Sequence, residues 1–467
     1  MILYSTPLRT PMAKLFPPPA IACFLLFFFS LAGAAEQVEP APLIPEVWSA
    51  EQAVRFALHN NPDSKMARQR IEAANAAISL QKATLYPTLA LTSEYSQTDN
   101  PMYSFGNILN QGAFDQSIDF NNPGRTDNLN GGVLFSYRLY NGGRDQAGVQ
   151  AAEAQAEAVQ MELRVVHDRL AFEVLRAYNL IIQAEEMVKT HEAMVRAINA
   201  SVLVAQARYE EGVVLRPDLL DLEVQLAGAR ENLIQARHGL ELSHQIFLNL
   251  LGLTTQKVTI TPLIDREQQV PQITSYDQRP ELKSLDAMIE AARKQLRQAS
   301  GGSLPVVDGY AGYGVDKGFV TDSSGDSWQA GIKLQYNLFE GHRTQAEVAR
   351  SAALLAETKA RRRKAELAIE LEIVQANLAL HEAEERLAVT GKTVEQAAES
   401  ARINRDRFSE GLILSSDLIA VENRMTNAQI RRAIAWTNRR IAVAELRRAL
   451  GLPQFDLLAI APATSTK

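Results

Sequence analysis

Cysteine is almost absent from this chain, which has a single one, Cys23, in 467 residues. A disulfide framework is therefore excluded, and an exported protein of this composition has to be stabilised by packing or by assembly. The seven histidines form no HExxH-type pair, and the sequence contains neither a phosphate-binding glycine loop nor a nucleophile elbow. We therefore predict no catalytic, cofactor-binding or metal-binding residues, and a function other than catalysis.

Long apolar runs are also missing, except near the start of the chain. The run from Ala20 to Leu31 follows two basic residues and precedes the small residues 32–35. A basic start, a short apolar core and a small-residue end are typical of a secretory signal peptide. We predict that residues 1–35 are this signal and that the proline-rich residues 36–47 form a tether. The alternative is an uncleaved membrane anchor, for which the run is short.

Acidic residues outnumber basic residues in the rest of the chain. Residues 36–467 contain 46 lysines and arginines against 54 aspartates and glutamates, which gives a net charge of −8. Surfaces that bind nucleic acid are instead rich in lysine and arginine. We therefore expect no nucleic-acid partner.

The chain repeats itself at a long interval. The matching pairs are Asn61-Pro62 with Arg279-Pro280, at an interval of 218, and Gly212 with Gly411, Asp218 with Asp417 and Leu251-Gly252-Leu253 with Leu450-Gly451-Leu452, all at 199. Self-similarity at a fixed interval indicates one structural unit written twice. We predict a first copy over residues 48–262, a second copy over 263–453, and a tail over 454–467.

Proline is missing from two long segments, residues 144–208 and 343–407. Apolar residues recur there every three or four positions, the spacing of a coiled-coil seam. Each segment of 65 residues would form a helix about 97 Å long at about 1.5 Å per residue. Return helices are predicted over 218–250 and 417–450. The sequence thus predicts two long antiparallel helical hairpins.

The tip of each predicted hairpin carries the same signals. An aromatic residue, Tyr209 or Phe408, comes three positions before a glycine, Gly212 or Gly411. Glycine adopts the left-handed conformation that ends a helix without a Cβ clash. We predict that Asp218 and Asp417, six positions after these glycines, cap the helices that follow, because a carboxylate can accept the free N–H groups of a first turn.

In four short segments the apolar residues recur about every 2 positions instead of about every 3.6, which indicates β-strands. Leu89, Leu91 and Tyr95 fall on one face of the first, and Thr88 and Thr92 fall on the other. The segment between the first two strands, from Ser96 to Gly132, is rich in Asn, Asp and Gly, and we predict a loop. The four predicted strands cover about residues 87–96, 132–140, 305–315 and 328–339.

The length of these strands suits a membrane. About ten residues cross a bilayer when a strand is tilted. The alternative is a pair of soluble hairpins. An open sheet edge in lipid would leave N–H and C=O groups unpaired, and single-chain barrels begin at about eight strands. If the strands span a membrane, several chains must share one barrel, and the sequence does not set their number.

The order of these segments resembles that of the outer membrane efflux proteins, the trimeric channel-tunnels of Gram-negative bacteria. The resemblance runs from about Trp48 to Leu452 and rests on the duplicated order of short helices, strands and long hairpin. It implies a mainly α-helical protein with transmembrane β-strands, in which three protomers share a twelve-stranded β-barrel and a twelve-helix periplasmic α-barrel. The location implied is the outer membrane, in contact with its lipid, with a long periplasmic extension.

The resemblance also implies a function and partners. The chain would be a passive exit duct of a tripartite efflux pump or a type I secretion system. Its partners would be a periplasmic adaptor (membrane fusion) protein and an inner-membrane pump or ABC exporter. Two other classes stay open, a periplasmic adaptor and a soluble coiled-coil scaffold, and the cargo is not indicated.

The hairpin tips are the candidate functional site. By resemblance, the residues after each glycine would dock the adaptor, although they could instead only pack the turn. These residues are Val213, Val214, Leu215, Leu412, Ile413 and Leu414. Asp221, one turn beyond Asp218, would belong with Tyr209, Asp218, Phe408 and Asp417 to the tip caps or to a pore constriction. Relatives that seal the tip with a Tyr and an Arg would need them near Phe408 and Ile413, so if this chain has such a seal, it is built differently.

Overall fold

The computed structural model describes residues 44–254, 257–261, 269–272 and 275–455. The predicted signal peptide, most of the tether, the predicted boundary between the copies and nearly all of the tail lie outside these residues. All elements belong to the compact unit that begins at Glu46. None of the helices described is long and apolar enough to cross a lipid bilayer.

Among the described residues, the elements follow the same order in both halves, except that the first half has two additional helices. The first half contains α1 (Ala50–Asn60), α2 (Pro62–Ala83), β1 (Thr88–Thr98), α3 (Pro101–Asn110), β2 (Thr126–Tyr140), α4 (Arg144–Glu210) and α5 (Arg216–Leu251). The second half contains α6 (Pro280–Ser300), β3 (Val306–Lys317), β4 (Ser324–Gln335), α7 (Arg343–Glu410) and α8 (Ser415–Ala449). Helices α1 and α3 have no counterpart in the second half as described, so the halves differ before and between their strands.

The stretch from Ser96 to Gly132 was predicted as a loop, and this was wrong in part. It contains the ten-residue helix α3, and β2 begins at Thr126. The side chain of Asn100 accepts a hydrogen bond from the Met102 N–H, and Pro101 is the first helical residue. Asn-Pro therefore acts here as a helix start, because asparagine caps well and proline needs no N–H partner in the first turn.

The long helices form two hairpins. Helix α4 has 67 residues and packs against α5, while α7 has 68 residues and packs against α8. An apolar cluster around Trp48, Tyr178 and Phe247 joins α1, the middle of α4 and the C-terminal end of α5. The Tyr178 hydroxyl donates to the Thr261 carbonyl (2.8 Å), which fastens the segment after α5 to this cluster.

Each returning helix ends against the start of a short helix. In the first half, Asn61 Nδ2 donates to the Leu250 carbonyl (2.9 Å). In the second half, Arg279 stands in the equivalent position and donates to the Arg448 and Ala449 carbonyls (2.9 and 3.0 Å). These bonds satisfy carbonyls that the end of a helix leaves free, so the two different residues perform the same task.

Glycine is required at both of these junctions. Gly252 and Gly451 have φ of +75° and +72°. A Cβ added at Gly252 would lie 3.1 Å from the Asn60 carbonyl oxygen, and one at Gly451 would lie 3.2 Å from the Arg279 nitrogen. Glycine provides both the left-handed conformation and the close approach of the two backbones.

The four strands form one antiparallel sheet in the order β1-β2-β3-β4. Residues that pair across it point to the same side. One row consists of Leu91, Val133, Tyr313 and Trp328, and the next row along the strands consists of Thr92, Gly132, Gly314 and Ser327. We call the side of the first row the apolar face and the side of the second row the polar face. The four side chains of the apolar row are all exposed in the single chain.

We expect Gly451→Ala to destabilise the protein by about 1 to 3 kcal/mol, the range for a side chain held at positive φ. Gly391→Ala is the matched control. Gly391 lies inside α7 with open space around its Cα, so alanine there should be neutral or stabilise by up to about 1 kcal/mol. The midpoint of thermal unfolding of the purified protein in detergent measures both effects. Equal effects of the two substitutions would contradict the requirement for glycine at position 451.

A second stability prediction concerns Asp168 of α4. Burial, and then the charge of Glu281, raise the pKa of its carboxyl to about 6, although Arg279, Arg164 and Arg448 oppose the shift. The folded state therefore holds this proton more tightly than the unfolded state. The stability that the protonated carboxyl contributes is complete below about pH 4 and is lost as the pH rises through about 6.

Asp168→Asn should accordingly stabilise the protein at pH 8 by roughly 1 to 2 kcal/mol, because part of the carboxyl is still solvated. Near pH 4 the variant and the natural protein should be equally stable. Thermal unfolding of both proteins over this pH range measures the difference. A difference that does not change with pH would contradict the raised pKa.

Candidate docking site at the hairpin tips

The two tips share one turn geometry. Gly212 and Gly411 have φ of +79° and +80°. The Val213 N–H donates to the Arg208 carbonyl (2.9 Å), and the Leu412 N–H donates to the Arg407 carbonyl (2.9 Å). The glycine N–H groups donate to the next carbonyls, those of Tyr209 and Phe408. These paired bonds form the Schellman motif that ends a helix.

Asp218 and Asp417 are not helix caps, which corrects the prediction. The cap positions are occupied by Leu215 and Leu414, and neither makes a side-chain capping bond. Each aspartate is the third residue of its helix. In α5, Pro217 fits the first turn because that turn leaves its N–H groups free, so the helix begins before Asp218. Helix α8 begins at Ser415 without a proline. Both carboxylates still favour the positive end of the helix dipole.

The apolar residues after the glycines are largely open to solvent. Val213 and Leu215 are 68% and 71% exposed, and Leu412 and Leu414 are 66% and 64% exposed. Val214 and Ile413 are half-buried, and Ile413 packs against the apolar cluster near the tips. Each turn therefore exposes two apolar side chains to solvent and keeps the third half-buried.

The remaining predicted residues differ between the tips. Phe408 is buried in the apolar cluster with Leu222 and Leu418, whereas Tyr209 is 41% exposed. Asp221 is exposed. Asp218 accepts a hydrogen bond from the Ser415 hydroxyl (3.1 Å), which links the first helix turn of α5 to that of α8.

A further link between the hairpins was not predicted. The Arg208 guanidinium donates to the carbonyls of Phe408 and Ser409 at the end of α7. Next to it, Arg405 pairs with Glu422, whose side chain is 2% exposed. The repeat aligns Arg208 with Arg407. Of these two equivalent arginines, Arg208 bonds to the other hairpin, and the spacing of residues in the sequence does not show this contact.

The tips carry both charged and apolar side chains. No set of three His, Cys, Asp or Glu side chains within the described ranges is arranged to hold a metal ion. What the geometry provides is a pair of rigid turns, tied together, that expose Val213, Leu215, Leu412 and Leu414. Exposed apolar groups of this kind mark surfaces that bind other proteins.

Comparison with known proteins identifies relatives of this chain. A family model described as outer membrane efflux protein matches residues 53–252 and 274–452. Among curated relatives, protein CyaE of Bordetella pertussis is 27% identical over 323 residues, 65% of this chain and 64% of CyaE. The alkaline protease secretion protein AprF of Pseudomonas aeruginosa is 26% identical over 304 residues, 62% of this chain and 61% of AprF.

These two matches span less than two thirds of the relatives' own lengths, and a third is more extensive. Outer membrane protein TolC of Vibrio cholerae is 23% identical over 429 residues, 87% of this chain and 91% of TolC. Among solved structures, the outer membrane protein VceC of Vibrio cholerae has a TM-score of 0.74 at 19% identity, covering 86% of this chain and 96% of VceC. At that identity the likeness shows the fold.

The predicted fold class is thereby confirmed in its coarse form, a mainly helical chain with antiparallel strands. The resemblance seen in the sequence is also confirmed, because the family model covers more than half of the chain. This protein is an outer-membrane protein of the outer membrane efflux protein family, a family of transport channels.

Proposed function

We propose that three copies of this chain form a passive exit duct that spans the outer membrane and the periplasm. The observation that carries the proposal is the two-faced, open-edged sheet. Three sheets would form a twelve-stranded barrel, and the four long helices of each copy would form a twelve-helix tunnel. The duct would serve a tripartite efflux pump or a type I secretion system.

The faces of the sheet support a barrel in lipid. Leu89, Leu91, Trp328 and Ile332 are 72% to 78% exposed on the apolar face. A soluble protein seldom leaves so much contiguous apolar surface in water. The opposite face carries Thr, Asn, Asp and Gly, as expected for the inside of a channel.

The edges of the sheet support assembly. Strands β1 and β4 each have one neighbour in the described sheet, so a row of N–H and C=O groups is unpaired on both sides. Within hydrocarbon each such group costs several kcal/mol. Pairing β1 of one copy with β4 of the next satisfies both rows, and four strands per copy reach a closed barrel only by sharing.

The tips support docking to a periplasmic adaptor. They stand at the end of hairpins more than 60 residues long, far from the sheet. Their four exposed apolar side chains are arranged alike on two rigid turns. The adaptor would connect the duct to an inner-membrane pump or ABC exporter, which would supply the energy and select the cargo. AprF is named for the secretion of a protease, and we extend to this chain only the role of a duct.

Two adjacent residues of β1 test the barrel, because they lie at the same depth on opposite faces. Leu91→Arg should disfavour the membrane-inserted trimer by about 2 to 4 kcal/mol, the range for arginine on a lipid face. Thr92→Arg, the matched control, should be tolerated because its side chain would point into water. The measurement is the amount of heat-labile trimer in the outer-membrane fraction, resolved by gel electrophoresis before and after heating.

Equal tolerance of the two arginines would argue against lipid on the apolar face. A monomer recovered from the soluble periplasm would sink the duct itself. The sheet would then have to be explained as part of a soluble adaptor or scaffold.

The docking surface is tested by changing the tips alone. Leu215→Asp combined with Leu414→Asp should abolish cross-linking to the adaptor and eliminate export, because charged groups replace the apolar contact. The conservative pair Leu215→Met and Leu414→Met should retain both. The trimer should form in all cases, since these side chains are exposed in the turns. Normal adaptor cross-linking in the aspartate variant would rule out docking through these residues.

A further inference from the structure

Helix α3 lies at the end of the sheet opposite to the long hairpins. It sits in the connection between β1 and β2, after β1 has run away from the helical part and before β2 returns. Where this connection meets the sheet, polar side chains are buried to an unusual degree. Gln111 is 0% exposed, Asp127 is 1%, Asn128 is 8% and Asp316 is 6%.

The contacts of α3 place it on the polar face. Asn107 Nδ2 donates to Thr126 Oγ1 (3.1 Å), and Gln111 Nε2 donates to Asn128 Oδ1 (3.0 Å). Thr126 and Asn128 pair with Thr98 and Ser96 of β1, which share a side with Thr92. The acceptors therefore project from the polar face.

The C-terminal end of α3 also reaches the last strand on the same face. A Cβ added at Gly325 of β4 would lie 2.2 Å from the Asn110 carbonyl oxygen. Gly325 pairs with Asp316, which in turn pairs with Asn130, both on the polar face. Helix α3 thus contacts both β2 and β4 and crosses the end of the sheet.

A hydrogen-bond network holds the helix there. Gln111 Oε1 accepts from the Thr321 hydroxyl (2.6 Å), in the connection between β3 and β4. The Asp127 carboxylate accepts from the N–H groups of Phe319 and Val320 (3.0 and 2.7 Å) in that same connection. The network joins the connections of the two halves, and buried polar groups that are satisfied in this way rigidify a structure.

We propose that α3 is a lid that narrows the outer mouth of the duct and limits the entry of bulky hydrophilic solutes from outside. This inference rests on the proposed function, because the polar face must line the inside of a barrel. A helix fastened to that face then lies within the mouth. Met102 and Tyr103, 80% and 65% exposed, are on the part of α3 that the sheet does not cover and so border the remaining opening.

The lid can be tested by the accessibility of one cysteine on the polar face. The natural chain contains a single cysteine, Cys23, within the predicted signal peptide, so Thr92→Cys supplies the thiol. Intact cells are treated from outside with a small charged maleimide or with a maleimide that carries a bulky polymer. The small reagent should label Thr92→Cys readily, and the polymer reagent should label it slowly.

Releasing the lid should then change the polymer reaction alone. In the background of Thr92→Cys, Asn107→Ala with Gln111→Ala removes four side-chain hydrogen bonds that join α3 and its C-cap to the sheet or its connections. Polymer labelling should become severalfold faster, while labelling by the small reagent stays the same. Asn122→Ala is the matched control, since Asn122 is exposed in the same connection, and it should leave both rates unchanged.

Polymer labelling that is equally fast with the lid intact and released would overturn the lid. If the double variant fails to assemble as a trimer, Thr321→Val, which removes one bond to Gln111, replaces it with the same expected direction. Leu91→Cys separates this outcome from failure of the duct, because on a lipid face it should resist the small charged reagent. Equal small-reagent labelling of Leu91→Cys and Thr92→Cys, or none at Thr92→Cys, would count against the barrel and with it the lid.

Discussion

Backbone hydrogen bonding at the edges of the sheet is the constraint on which the rest of this structure depends. The described strands expose a continuous apolar face in the single chain, and within the described sheet β1 and β4 leave their outer N–H and C=O groups unpaired. Lipid can cover the face, but only closure satisfies the edges. The proposed sharing of one barrel by several copies follows from this requirement, whereas the proposed number of three rests on the resemblance to the family.

The duplicated chain meets this requirement with one design used twice, adapted at a few positions. The end of each returning helix is received by a side chain at the start of a short helix, Asn61 in one half and Arg279 in the other. The arginine needs partners for its charge, and Glu281 and Glu372 supply them. A buried charge is tolerated where it is paired and bonded to free carbonyls, so the second junction is also the more electrostatic one.

The two ends of the molecule depart from the repeat in different ways. At the tips, the turns are alike, but among the described residues Arg208 donates across to the other hairpin and its counterpart Arg407 does not. At the far end of the sheet, among the described residues, the connection between β1 and β2 contains a helix and the one between β3 and β4 does not, and that helix contacts β4. Both differences from the repeat form contacts between the two halves of the chain.

The sequence by itself determined the elements, because their signals are local. Apolar spacing and missing proline marked the long hairpins, left-handed glycine marked Gly212 and Gly411, and alternation marked which residues share a face of each strand. Local signals failed at Asp218, because α5 begins two residues earlier, at Arg216, with Pro217 in its first turn. They also failed at Asn100-Pro101, a pair typical of turns that here begins α3. The Arg208 link, the Asp127 network and the side of the sheet on which α3 lies join residues far apart in the chain. Only the tertiary structure decided these, since long side chains choose partners by distance in space and not by spacing in sequence.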